Sequence, residues 1–209
     1  MAERERLRHR LDDGLAALGL DLPQTVRDQL VAYVQLLARW NAAYNLTAVR
    51  DAGEMVARHL LDSLAIAPYV HGATLADLGT GPGLPGIPLA LAAPERQVTL
   101  VDSNGKKARF LREAVRALKL NNVRVIEGRV QDVAGQFDCI TARAFATLAD
   151  MLDWAGGLLA EGGSWLAMKG KLADEEIAAL PAGFRIERII ALEVPATVGE
   201  RHLIEVRRA

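Results

Sequence analysis

From Thr74 onward the chain alternates short apolar runs with helical segments, and that alternation restricts its fold more than any other feature. The runs are 74–78 (TLADL), 98–102 (VTLVD), 123–127 (VRVIE), 137–143 (FDCITAR) and 164–169 (SWLAMK). Helices are expected at 84–93, 105–119 and 147–159, with a short one near 130–134. A helical crossover returns each strand in the same direction, so the expected sheet is parallel and covered on both faces. The last stretch differs. Residues 184–194 (FRIERIIALEV) and 202–207 (HLIEVR) are strand-like and have only a short loop between them, so they are expected to pair antiparallel.

The first third reads as helical. Leu7, Leu11, Leu15 and Leu18 recur at helical spacing up to Gly19. A second helix is expected over 24–40, with Leu30, Val31, Val34, Leu37 and Ala38 on one face. A polar break follows at 41–47, then a third helix over 52–67, ending before Pro68. Residues 1–70 thus form a helical extension over a domain at 71–209, either framing a substrate site or serving only as structure. With 209 residues and 51% hydrophobic content, the chain can bury one sizeable core. Its charged start carries no export signal and no apolar run reaches ~18 residues, so a cytoplasmic protein without a membrane span is expected. The single cysteine, Cys139, rules out an internal disulfide and an all-cysteine zinc site. A net charge of −1 is not that of a protein that coats nucleic acid, although it leaves room for a local basic patch.

The loop from Asp77 to Gly86 (DLGTGPGLPG) follows the first strand and opens a helix. Gly81, Gly83 and Gly86 match the dinucleotide fingerprint G-x-G-x-x-G. Asp77, Gly79, Gly81 and Gly83 also give D-x-G-x-G-x-G, which is similar to the first motif of S-adenosyl-L-methionine enzymes. A carboxylate there suits a cationic amino-acid tail and would repel a pyrophosphate. A merely structural glycine turn is the bland alternative. Asp102, ending the second strand, stands where an acid can accept from ribose hydroxyls, or it caps the next helix alone or with Ser103. At 128–132, backbone groups and Val130 suit an adenine ring, while Asp132 could instead cap a short helix. The parallel sheet with a terminal antiparallel hairpin is the arrangement of the α/β, seven-stranded class I methyltransferase fold.

The fourth strand leads into Thr141-Ala142-Arg143-Ala144-Phe145, without the Asn/Asp-Pro-Pro-aromatic cluster used on exocyclic amines. Cys139 has no neighbouring proline and reads as inert core rather than a nucleophile. These absences point to an atom that is already nucleophilic, such as guanine N7. Arg143 could contact a guanine O6 edge or a phosphate, or pair with an acid across the sheet. A small-molecule methyltransferase, an NAD-dependent oxidoreductase and a non-catalytic nucleic-acid module are the rival readings.

Several motifs then converge: Trp40-Asn41-x-x-Tyr44-Asn45-Leu46-Thr47, Arg58-His59-Leu60-Leu61-Asp62-Ser63, the proline-bearing glycine loop, the 141–145 segment, Lys169-Gly170 and Gly199-Glu200-Arg201-His202. In these the chain resembles, over nearly its whole length, the bacterial 16S ribosomal RNA guanine-N7 methyltransferase G family, also called GidB or RsmG. The resemblance implies methyl transfer from S-adenosyl-L-methionine to a guanine in the 530-region loop of 16S rRNA, with the small ribosomal subunit or its precursor as partner. By motif it implies cofactor contacts at Gly79, Leu84, Val130, Gln131 and Arg143. Asp77, Gly81 and Asp102 join them from the residue reading, and Arg143 is the candidate catalytic residue. For RNA, the basic run at 106–119 competes with Lys169, Lys171, Arg201 and His202; the second group is preferred because it lies at the ligand-binding edge of such a sheet. His59 is expected to be a surface histidine, no metal site is expected, and the protein is expected to be a monomer.

Overall fold

The computed structural model describes residues 2–143, 146–171 and 174–209. Ala144 and Phe145, the end of the 141–145 motif, lie outside the described residues. Seven strands form one sheet: β1 (Thr74–Leu78), β2 (Gln97–Asp102), β3 (Val123–Glu127), β4 (Phe137–Arg143), β5 (Leu159–Lys169), β6 (Phe184–Ala191) and β7 (His202–Arg208), in the order β3-β2-β1-β4-β5-β7-β6. The first five are parallel, and β7 runs antiparallel to both β5 and β6. The sheet is therefore parallel with a hairpin closing one edge, as the alternation of runs implies. β5 begins earlier than its apolar run, at Leu159, because it pairs with Phe137 before an irregularity brings Ser164 opposite Cys139.

Helices α1 (Ala2–Ala17) and α2 (Gln24–Tyr44) lead into a continuous helical run: α3 (Ala52–Met55), a π-helical stretch (Val56–Leu61) and α4 (Asp62–Leu64). With α5 (Gly86–Ala92) and α6 (Gly105–Ala117) they cover one face of the sheet. Leu11, Leu30, Leu37 and Leu61 share one apolar core with Leu75, Leu100 and Phe110, so the core runs unbroken across residue 70. The other face buries Ala76, Leu78, Val101, Ile140 and Trp165 against Leu148, Met151 and Leu152 of α7 (Leu148–Ala155). Alternation along β1 sends Leu75 and Asp77 to the first face, with Ala76 and Leu78 to the second. Asp77 is thereby placed beneath α5.

Two expectations from local pattern are corrected. Residues 41–44 are not a break; α2 continues to Tyr44 and ends at Asn45 in the left-handed conformation, φ 51°. The helix expected over 52–67 is not uniform, since six of its residues are π-helical. A short helix, α8 (Asp174–Ala178), has no counterpart in the sequence reading. No helix among the described residues is long and apolar enough to cross a membrane.

Candidate functional site

A cavity of about 920 Å³ opens where β1, β2, β4 and β5 end, roofed by Thr47–Val49 and by Arg58, His59 and Asp62 of the helical layer. The glycine loop forms its floor. Gly79, Gly81 and Gly83 all have positive φ (65°, 62° and 100°), a turn that side chains with a Cβ adopt only under strain. Gly86 is required for another reason: a Cβ there would lie 2.2 Å from Leu100 Cδ2 and 2.8 Å from Asp77 Oδ2. The loop's N–H groups are almost all taken. Thr80 donates to Val101 O, Gly83 and Leu84 to Thr80 O, and Ile87 to Gly83 O. Gly81 donates to Asp102 Oδ2 at 2.8 Å and Gly86 to Asp77 Oδ2 at 2.7 Å.

Asp77 does not line the cavity. It is fully buried, accepts from the Thr80 hydroxyl at 2.5 Å and from Thr141 at 3.3 Å, and burial pushes its carboxyl up to about 6. It binds the loop to α5 instead of facing the space a ligand would fill. Asp102 does line the cavity, with Gly79, Gly81, Leu84, Val130 and Gln131. Its other oxygen accepts from Asn104 N at 2.9 Å. The N-cap of α6 is Asn104, whose side chain accepts from Lys106 and Lys107, and not Asp102 or Ser103.

Arg143 lies in the cavity wall and pairs with Asp62, Nη1 to Oδ2 at 3.1 Å. Arg201 Nε reaches the other oxygen of Asp62 at 3.2 Å. Asp62 stood within a quoted motif, but no local signal marks it as the acid that meets both arginines; its partners lie 81 and 139 residues away. His59 is not on the surface. It is buried, Nδ1 donates to Arg58 O at 3.0 Å, and Nε2 accepts from the Thr47 hydroxyl at 2.9 Å. Burial, reinforced by the Arg143 charge, lowers its pKa to about 4 and keeps it neutral. Asn41 holds the same roof, donating to Val49 O at 3.0 Å and accepting from Thr47 N at 2.8 Å. Tyr33, also unnoticed in the sequence, donates from its buried hydroxyl to Pro82 O at 2.8 Å and so ties α2 to the glycine loop.

Of the four residues expected to face RNA, three are held within the protein. Lys169 is paired with Glu176 at 2.5 Å and donates to Ala146 O, which removes it as a free cation. Arg201 is held by Asp62, and His202 Nδ1 donates to Gly170 O at 2.7 Å. Lys171, next to the lining residue Gly170, is exposed and makes no ion pair among the described residues; Arg129, in the cavity lining, is the same. In the basic run, Arg112 pairs with Glu127 and Arg116 with Glu113, whereas Lys106 and Arg109 are exposed. Cys139 is buried and its thiol is pushed up to about 12 by burial, which makes it inert core. No group of three or more potential metal ligands occurs among the described residues.

The strand order, the closing hairpin and the cleft at the strand ends are those of the class I S-adenosylmethionine-dependent methyltransferase fold. Two solved methyltransferases share it. Mitomycin 7-O-methyltransferase MmcR superposes with a TM-score of 0.65 at 16% identity over 98% of this chain and 68% of that one. The ribosomal protein L11 methylase of Lactobacillus delbrueckii subsp. bulgaricus gives 0.55 at 22% identity over 71% and 76%. Residues 26–204 match the family model for rRNA small subunit methyltransferase G, GidB. The ribosomal RNA small subunit methyltransferase G of Stenotrophomonas maltophilia (strain K279a) is 58% identical over 198 residues, 94% of this chain and 92% of that protein. The chain belongs to the rRNA small subunit methyltransferase G family and is an rRNA methyltransferase.

Proposed function

We propose that the cleft binds S-adenosyl-L-methionine and that the enzyme methylates N7 of a guanine in the 530-region loop of 16S rRNA, within the small ribosomal subunit or its precursor. The observation that carries the cofactor assignment is the filling of the glycine loop by two acids. A dinucleotide pyrophosphate needs unopposed N–H groups and a free helix end. Here Asp102 takes the N–H of Gly81 and Asp77 takes that of Gly86, at the start of α5. An anion would find both of those N–H groups taken and would face the Asp102 carboxylate; a cationic amino-acid tail would not be repelled. Asp102 retains lone pairs for ribose hydroxyls, and Val130 with Gln131 offers an apolar and backbone surface for adenine.

When bound, S-adenosyl-L-methionine supplies a methyl group on a sulfonium. Guanine N7 accepts it with its own lone pair, so the protein need only align and desolvate the reactants. The groups present fit that requirement. His59 already has both ring nitrogens hydrogen-bonded, and both carboxylate oxygens of Asp62 are engaged by guanidinium groups. Arg143 is the group that would contact the O6 edge. Residues 47–49, 58, 59 and 62 roof this site, and phosphates would meet Arg129 in its lining and Lys171 beside Gly170, neither of them ion-paired among the described residues.

Borohydride/aniline cleavage of small-subunit RNA from cells with and without the gene tests the assignment. One cleavage in the 530 region should vanish with the gene. Unchanged cleavage, or label from tritiated cofactor entering only small metabolites, would overturn it.

A further inference from the structure

Asp62 is buried at the cleft wall with one carboxylate oxygen on each of two arginines. Arg143 ends β4 and Arg201 directly precedes β7. Those strands are separated in the sheet by β5, so no backbone pairing fixes one guanidinium against the other. Asp62 supplies that link from a third element, α4. A carboxylate whose only task was to hold the helical layer on the sheet would be neutralised by a single arginine. Two leave an excess positive charge in the cleft, on guanidinium groups whose remaining donors are not consumed by Asp62.

We propose that Asp62 is a positioning residue: it locks Arg143 and Arg201 into one fixed donor pair that orients the target purine through an acceptor edge. The inference rests on the proposed methyl transfer to an RNA guanine. A fixed pair of donors accepts guanine, whose O6 is an acceptor, and opposes adenine, whose N6 group donates. Asp62 acts through the arginines and touches no reacting atom. In Asp62→Asn the amide nitrogen cannot accept, so one arginine is released.

Steady-state methylation of small ribosomal subunits by wild type and D62N, with calorimetry of S-adenosylhomocysteine binding, tests this. The target is misplaced but no positive charge is lost, so kcat should fall about 100-fold. KM for the subunit and cofactor affinity should each stay within about threefold of wild type. Arg201→Ala covers the case in which D62N folds poorly: kcat should fall at least about tenfold with Tm unchanged. The combined D62N/R201A variant should be little slower than D62N alone. A D62N enzyme with unchanged kcat, a rise in KM alone, or additive losses in the double variant would overturn the role of Asp62 while leaving the proposed substrate standing. Wild-type enzyme that leaves the subunits unlabelled would overturn both.

Discussion

Asp77, one residue before the end of β1, and Asp102, the last residue of β2, lie on neighbouring strands and are both buried, yet only one of them faces the cleft. The difference comes from strand alternation together with the loop's course: Asp77 points under α5, where Thr80, Gly86 and Thr141 donate to it. Replacing Asp77 by Ala would leave the Gly86 N–H and the Thr80 hydroxyl buried without that acceptor. This should cost about 3 kcal/mol of stability and abolish cofactor binding. Asp77→Asn keeps an acceptor for both donors and turns its amide toward the Thr141 hydroxyl, so at pH 7 it should stay within about 1 kcal/mol of wild type. Urea unfolding followed by tryptophan fluorescence distinguishes the two, and an Asn variant as damaged as the Ala variant would contradict this role. The sequence marked Asp77 as part of the site from its spacing. It did not reveal that its carboxylate closes the loop, because direction depends on which layer covers each face of β1.

At the level of elements, the helical layer fastens the site at three points: Tyr33 on Pro82, Asn41 on the 47–49 roof, and Asp62 on the two arginines. Tyr33→Phe removes one buried hydrogen bond and keeps the ring that packs 6.3 Å from Phe110. The expected loss is about 1 kcal/mol of stability, with cofactor affinity falling several-fold because the floor of the cleft loosens. Calorimetry with S-adenosylhomocysteine measures the latter, and unchanged affinity would mean that the loop holds its shape without α2. These links explain what was legible. Strands β1 to β4 and helices α1, α2 and α6 were visible as apolar periodicity, which is a local property. The end of α2 was hidden because Asn41 reads as a breaker, while in the fold its side chain staples the next loop. Likewise, α8 has no buried residue among those described and so shows no apolar stripe, yet its Glu176 captures Lys169 and the Leu148 N–H.

For the molecule as a whole, charge is distributed so that the near-neutral total conceals exposed Arg129 in the cleft lining and exposed Lys171 next to the lining residue Gly170, neither of them ion-paired among the described residues. Changing each to Ala should weaken RNA binding uniformly across sequences and reduce the salt dependence by about one counterion apiece. Filter binding at several salt concentrations reads this, and an unaltered slope would remove these two from the RNA surface. Stability against pH is the second global property, and here two buried groups oppose each other. His59 takes up its proton at about 4 when folded against 6.5 ordinarily, so the unfolded chain binds that proton first as pH falls. Its contribution is present above 6.5 and is lost as pH falls toward 4. Asp77 is raised from 3.8 to about 6, so the folded chain binds its proton first, and its contribution grows as pH falls through the same window. Each is worth at most about 3 kcal/mol, and together they flatten the profile between pH 4 and 6. His59→Gln should therefore gain stability relative to wild type as pH is lowered from 6.5 to 4.5, and Asp77→Asn should lose it. Groups common to all three proteins cancel in the comparison. Urea midpoints at pH 4.5, 5.5 and 7 measure the differences, and two variants that run parallel to wild type would show that neither group titrates as its burial requires.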